Sequence, residues 1–102
     1  MKKEQQAVDE WIQKHKIGYF KPLEIIARLA EETGELAREI NHRFGPKKKK
    51  PSEETKEIGD EIVDNIFTLI CLANSLDIDL DESFESMMDK IRIRDKDRYE
   101  KK

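Results

Sequence analysis

Two acidic pairs at helical spacing stand out in this 102-residue chain: Glu32 with Glu35, an E-x-x-E, and Glu61 with Asp64, an E-x-x-D. Residues three apart on a helix are surface neighbours, so each pair presents both carboxylates to one region. A carboxylate that enters a helix-packing interface unpaired either takes a proton or finds a cation. Two neighbouring helices carrying such pairs can converge four carboxylates, as helical bundles do when they build metal sites. Oxygen-only ligands suit a hard ion, Mg²⁺ or Mn²⁺. The competing reading is ordinary surface salt bridging to Arg28, Arg38, Arg43 and the lysines. A second frame, Glu57 and Asp60, also spells E-x-x-D one turn earlier.

Other residues invite chemistry less directly. Lys90, Arg94 and Arg98 recur every four residues and form a basic stripe that suits phosphate oxygens, or equally a solvated face pairing with Asp95, Asp97 and Glu100. Glu39 and His42 give the E-x-x-H spacing of di-iron bundles, which need two such pairs where this chain has one. His42 instead suits the carboxyl end of its helix. Trp11, Tyr19 and Phe20 could stack on a nucleobase, but aromatics beside apolar helix faces predict core packing first. Asn65 and Asn74 lie inside a mostly apolar stretch and need hydrogen-bond partners there.

The elements that must carry these residues are helices. Only four glycines and three prolines interrupt the chain, and they fall where the apolar periodicity breaks. An all-α, four-helix bundle follows. The first helix is expected over about residues 3–16, and the second from Pro22 to a stop at Gly45. The third should run from near Ser52 to Ser75, and the fourth from Asp79, whose spacing to Glu82 makes a capping-box-like start. On the second helix Ile25, Ile26, Leu29, Leu36, Ala37, Ile40 and Phe44 share one arc, with Glu32 at its edge. A seam of Ala27, Ala30, Gly34 and Ala37 predicts close approach of another backbone, since an interior glycine costs about 1 kcal/mol against alanine. After Asp64 come twelve uncharged residues, NIFTLICLANSL. A helix apolar nearly all round needs several neighbours, which predicts an oligomer.

Composition narrows the class further. One hundred and two residues suit a single domain over 1–102, with the lysine-rich segment 46–51 read as a mobile loop and 96–102 as a fraying tail. No uncharged run is long enough for a membrane span and the first residues lack a signal-peptide core, so a cytoplasmic protein with no membrane partner is expected. One cysteine, Cys71, excludes an internal disulfide and predicts a reduced, buried thiol. A net charge of −3 argues against a stable nucleic-acid partner.

At EETGELAREINHRFG (31–45), EIVDNIFTLICLANSLDIDL (61–80) and RDKDR (94–98) the chain resembles the MazG-like all-α nucleoside triphosphate pyrophosphohydrolases, specifically their small single-domain YpjD-type members. The family pattern is E-x-x-E, a variable gap, then E-x-x-D. Here twenty-five residues separate Glu35 from Glu61. The resemblance implies that Glu32, Glu35, Glu61 and Asp64 bind Mg²⁺, with Mn²⁺ as a substitute, and that Glu31 is an auxiliary ligand or water-orienting base. It also implies a phosphate role for Lys90, Arg94 and Arg98, and a homodimer or homotetramer. The implied reaction cleaves a (deoxy)nucleoside triphosphate to monophosphate and pyrophosphate, with clearance of noncanonical nucleotides as an implied use. Glu61 and Asp64 fit the distance to ANSLDID better than Glu57 and Asp60 do, although Gly59 matches the family's small residue before the aspartate better than Val63. The alternative is a non-catalytic helical oligomerisation module.

Overall fold

A computed structural model describes residues 1–46 and 57–102 of the chain. Its described residues form four helices and no strand: α1 (Lys2–Gln13), α2 (Pro22–Phe44), α3 (Ile58–Ser75) and α4 (Leu80–Arg94). The all-α reading therefore holds, with shifts at the helix ends. α1 stops at Gln13 rather than near residue 16, and the connector then turns through Gly18, whose φ of +64° is a conformation that other residues adopt only with strain. α3 runs from Ile58, with extended Glu57 as its N-cap. Most of the lysine-rich segment, and the expected start of the third helix, lie outside the described residues.

The other ends follow the sequence. Pro22 occupies the first turn of α2, where its missing N–H costs nothing. α2 ends at Gly45, an extended C-cap where a Cβ would run into the side chain and carbonyl of Asn41. Asp79 caps α4, its Oδ1 accepting from the backbone N–H groups of Asp81 (2.9 Å) and Glu82 (3.3 Å).

α2 and α3 form the central pair, and α1 packs on α3. Asn65 pins the pair together. Its Nδ2 donates to the carbonyls of Glu61 (2.8 Å) and Glu32 (3.2 Å), and its Oδ1 accepts from Thr33 (2.8 Å). The buried core is small: Ile25, Ile70 and Ala73 are its fully buried apolar residues, while Ile26, Ile62, Ile66, Leu69 and Phe44 of the expected apolar faces remain exposed. The small-residue seam also finds no neighbour here, since Ala27, Ala30 and Ala37 are exposed and a Cβ on Gly34 would meet nothing within 4 Å. α4 projects away instead of completing the bundle, and the radius of gyration is 17.5 Å. A compact domain of this length has about 13 Å.

Candidate active site

The carboxylates meet where α2 and α3 cross. One oxygen each from Glu32, Glu61 and Asp64 lies within 4.8 Å of the others. Helical spacing delivers them: Ile25, Glu32 and Glu39 recur at seven-residue steps along the inner face of α2, and Asp64, Thr68 and Cys71 share a face of α3. Glu61 is 0% exposed, the most deeply placed side chain described. Glu57 and Asp60, the rival E-x-x-D, are exposed at the start of α3 and outside this group.

Glu32 registers the crowding. Its carboxyl is pushed above the ordinary glutamate value of 4.5, first by burial, then by the charges of Glu35, Asp64 and Glu61, with Arg28 (3.7 Å) pulling the other way. Glu35 thus bears on the cluster electrostatically, although its oxygens are not among the three that converge. Glu31 is exposed one position before Glu32. Three hard, acidic oxygens at this separation fit a divalent cation, which removes the repulsion that raises Glu32.

A stability consequence follows with a definite sign. A carboxyl whose pKa is raised on folding holds its proton more tightly in the folded chain. Its contribution is therefore complete below pH 4.5 and is lost as pH rises through the higher folded value. Thermal melts without divalent cation are expected to show falling stability across that window, with Mg²⁺ stabilisation growing as Glu32 ionises. Glu32→Gln should flatten both trends.

Beside the carboxylates opens a cavity of about 480 Å³. Its walls are aromatic and apolar: Trp11 and Ile12 from α1, Tyr19 and Phe20 from the connector, Phe67 and Cys71 from α3. Glu32 and Asp64 line the same cavity. Trp11, Tyr19 and Phe20 are thus cavity walls and not core, with Trp11 55% exposed. Cys71 is half-buried here, and burial raises its thiol above the usual cysteine range.

The basic stripe is divided. Lys90 and Arg94 lie on α4, whereas Arg98 falls beyond its end. Arg94 (2.9 Å) and Arg98 (3.3 Å) both pair with Asp95, and all three basic side chains are exposed. Glu39 was not anticipated as an interior residue. It is 3% exposed, and its Oε1 is buried without a hydrogen-bond partner among the described residues. The heptad step from Ile25 through Glu32 to Glu39 was the available signal for it.

An all-α scaffold thus carries a converging carboxylate trio at the edge of an aromatic cavity. Residues 20–99 match the MazG nucleotide pyrophosphohydrolase domain, and the chain belongs to that family. It is 54% identical to the uncharacterized protein YpjD of Bacillus subtilis over 102 residues, which are 100% of this chain and 92% of that protein. The crystal structure of YPJD from Bacillus subtilis, a pyrophosphatase candidate, superposes with a TM-score of 0.79 at 54% identity, covering 87% of this chain and 91% of the other. That of the Bacillus-conserved MazG protein, a nucleotide pyrophosphohydrolase, gives 0.77 at 44% identity, with 88% and 86% covered.

Proposed function

We propose that the chain hydrolyses nucleoside or deoxynucleoside triphosphates between the α and β phosphates, releasing monophosphate and pyrophosphate, with Mg²⁺ as cofactor and Mn²⁺ as a substitute. The observation that carries this reading is the convergence of Glu32, Glu61 and Asp64 at the edge of an aromatic cavity: a charged end and a flat apolar end, as a nucleotide has. A non-catalytic module would leave that convergence without a role. We place the activity in the cytoplasm, where triphosphates are held, with clearance of noncanonical nucleotides as its use. No helix among the described residues is long and apolar enough to cross a membrane.

Glu32, Glu61 and Asp64, with Glu35 beside them, would hold the cation. When bound, it supplies neutralisation of the phosphate charge and acidifies water for attack. Glu31, exposed next to Glu32, serves as an auxiliary ligand or orients that water. The cavity walls stack on the base and keep bulk water from one side of the substrate. Lys90, Arg94 and Arg98 neutralise phosphate oxygens. Because α4 stands away from the α2–α3 pair, these residues reach the site most directly from a second copy, and we read the working enzyme as a homodimer or homotetramer.

The deciding assay incubates a panel of triphosphates with Mg²⁺ and measures pyrophosphate and orthophosphate separately. Pyrophosphate as the first product supports the reading; orthophosphate as the first product, or no turnover of any triphosphate, overturns it. Lys90→Ala and Arg94→Ala should each raise KM by about ten- to hundred-fold, since a charge-assisted hydrogen bond contributes roughly 1.5–3 kcal/mol. Arg98→Ala should matter less.

A further inference from the structure

We infer that Asn74 is a positioning residue for the nucleoside end of the site: it suspends α1 and the α1–α2 connector from α3, and so sets where the aromatic wall stands relative to Asp64. This rests on reading the cavity as the nucleoside slot. α3 acts as the ruler. Asp64, Phe67, Cys71 and Asn74 fall on one side of it, and ten residues of helix put Asn74 about 15 Å from Asp64 along the axis.

Every hydrogen-bonding position that matters on Asn74 is used. Its Nδ2 donates to the carbonyl of Gln5 (3.0 Å) and to the hydroxyl oxygen of Tyr19 (2.9 Å), and its Oδ1 accepts from Gln5 Nε2 (2.9 Å). Gln5 spreads the attachment, donating to the carbonyl of Ile78 (2.8 Å) and accepting from the N–H of Leu80 (2.9 Å). The Tyr19 hydroxyl gives its one proton to Asp9 (2.7 Å), an acceptor only. It therefore has only lone pairs to offer Asn74, and the amide must face it with nitrogen. The same nitrogen faces the Gln5 carbonyl, so both neighbours demand the same orientation. A carboxylate at position 74 would set acceptor against acceptor twice.

The knot bears on the cavity because its members are attached to the wall. Tyr19 lines the cavity and is flanked by Gly18 and Phe20, which also line it; α1, fastened at Gln5, contributes Trp11 and Ile12, and His15 follows just past its end. The carboxylate trio comes from α2 and α3, whose union runs through Asn65 and not through Asn74. Loss of Asn74 should displace the nucleoside wall and leave the cation site standing.

The test compares wild type, Asn74→Ala, Asn74→Asp and Tyr19→Phe, each checked for helical content. The expected result is a rise in KM of about ten- to hundred-fold, largest for Asn74→Asp and smallest for Tyr19→Phe, from lost and opposed buried hydrogen bonds. The kcat should stay within about three-fold of wild type, and Mg²⁺ should stabilise every variant equally. A second readout needs no turnover. In a Tyr99→Phe background, Tyr19 is expected to ionise at about 12, raised first by burial and then by its bond to Asp9. In Asn74→Ala the phenolate loses the amide N–H that favours it while burial and Asp9 remain, so Tyr19 should ionise higher than in the wild type. Wild-type KM in Asn74→Asp, a kcat loss without a KM change, or a Tyr19 that titrates in Asn74→Ala as it does in the wild type would each overturn the assignment. An inactive wild type sinks the proposed reaction instead, while the titration still decides the role of Asn74.

Discussion

Glu61→Gln is expected to lower pyrophosphate release by about a thousand-fold or more and to abolish the rise in melting temperature that the proposed cation site predicts for the wild type in Mg²⁺. Glutamine keeps the size and shape of the side chain, so the 0%-exposed position stays filled while one anionic ligand is removed from the trio. A cation's electrostatic contribution to the transition state is several kcal/mol, and each 1.36 kcal/mol is about ten-fold in rate, which sets the thousand-fold scale. The neighbouring frame supplies the control. Glu57→Gln and Asp60→Asn alter exposed residues one turn earlier and should leave activity and the Mg²⁺ shift within about two-fold of wild type. Calorimetry with and without Mg²⁺, beside the pyrophosphate assay, checks both halves. A loss from Asp60→Asn without one from Glu61→Gln would mean that the site is built on the other register.

The second large effect concerns assembly. Ile62, Ile66 and Leu69 form an exposed apolar stripe on α3, and Phe84 and Met87 of α4 are exposed as well. Fully covering such side chains contributes about 1.5–3 kcal/mol each, and the extended radius of gyration leaves them uncovered within one chain. We expect sedimentation to give a mass two or four times 12.1 kDa, and Ile66→Asp to shift it to one. A charge buried in an apolar interface has no partner to offset its desolvation. Because the basic residues of α4 are read as acting across the boundary, the monomeric variant should also lose at least about ten-fold in kcat/KM. A wild type that sediments at 12.1 kDa would sink this part of the reading.

Much of this architecture is legible before any folding. Helix periodicity alone puts Glu32 with Glu35, and Glu61 with Asp64, and turn chemistry marks Pro22, Gly45 and Asp79 as helix boundaries. What periodicity cannot supply is how far one helix slides or rotates against the next. That relative placement selects Glu61 and Asp64 over Glu57 and Asp60, draws Glu39 inside, and leaves the small-residue seam facing outward. It also turns Trp11, Tyr19 and Phe20 from expected core into the wall of a cavity, because the connector is held by hydrogen bonds to nearby Asp9 and to Asn74, which is remote from it in the chain. Local sequence governs the face a residue takes on its own helix. Which faces meet depends on packing summed over all the helices, and among the described residues α4 and the apolar stripe of α3 stay largely exposed.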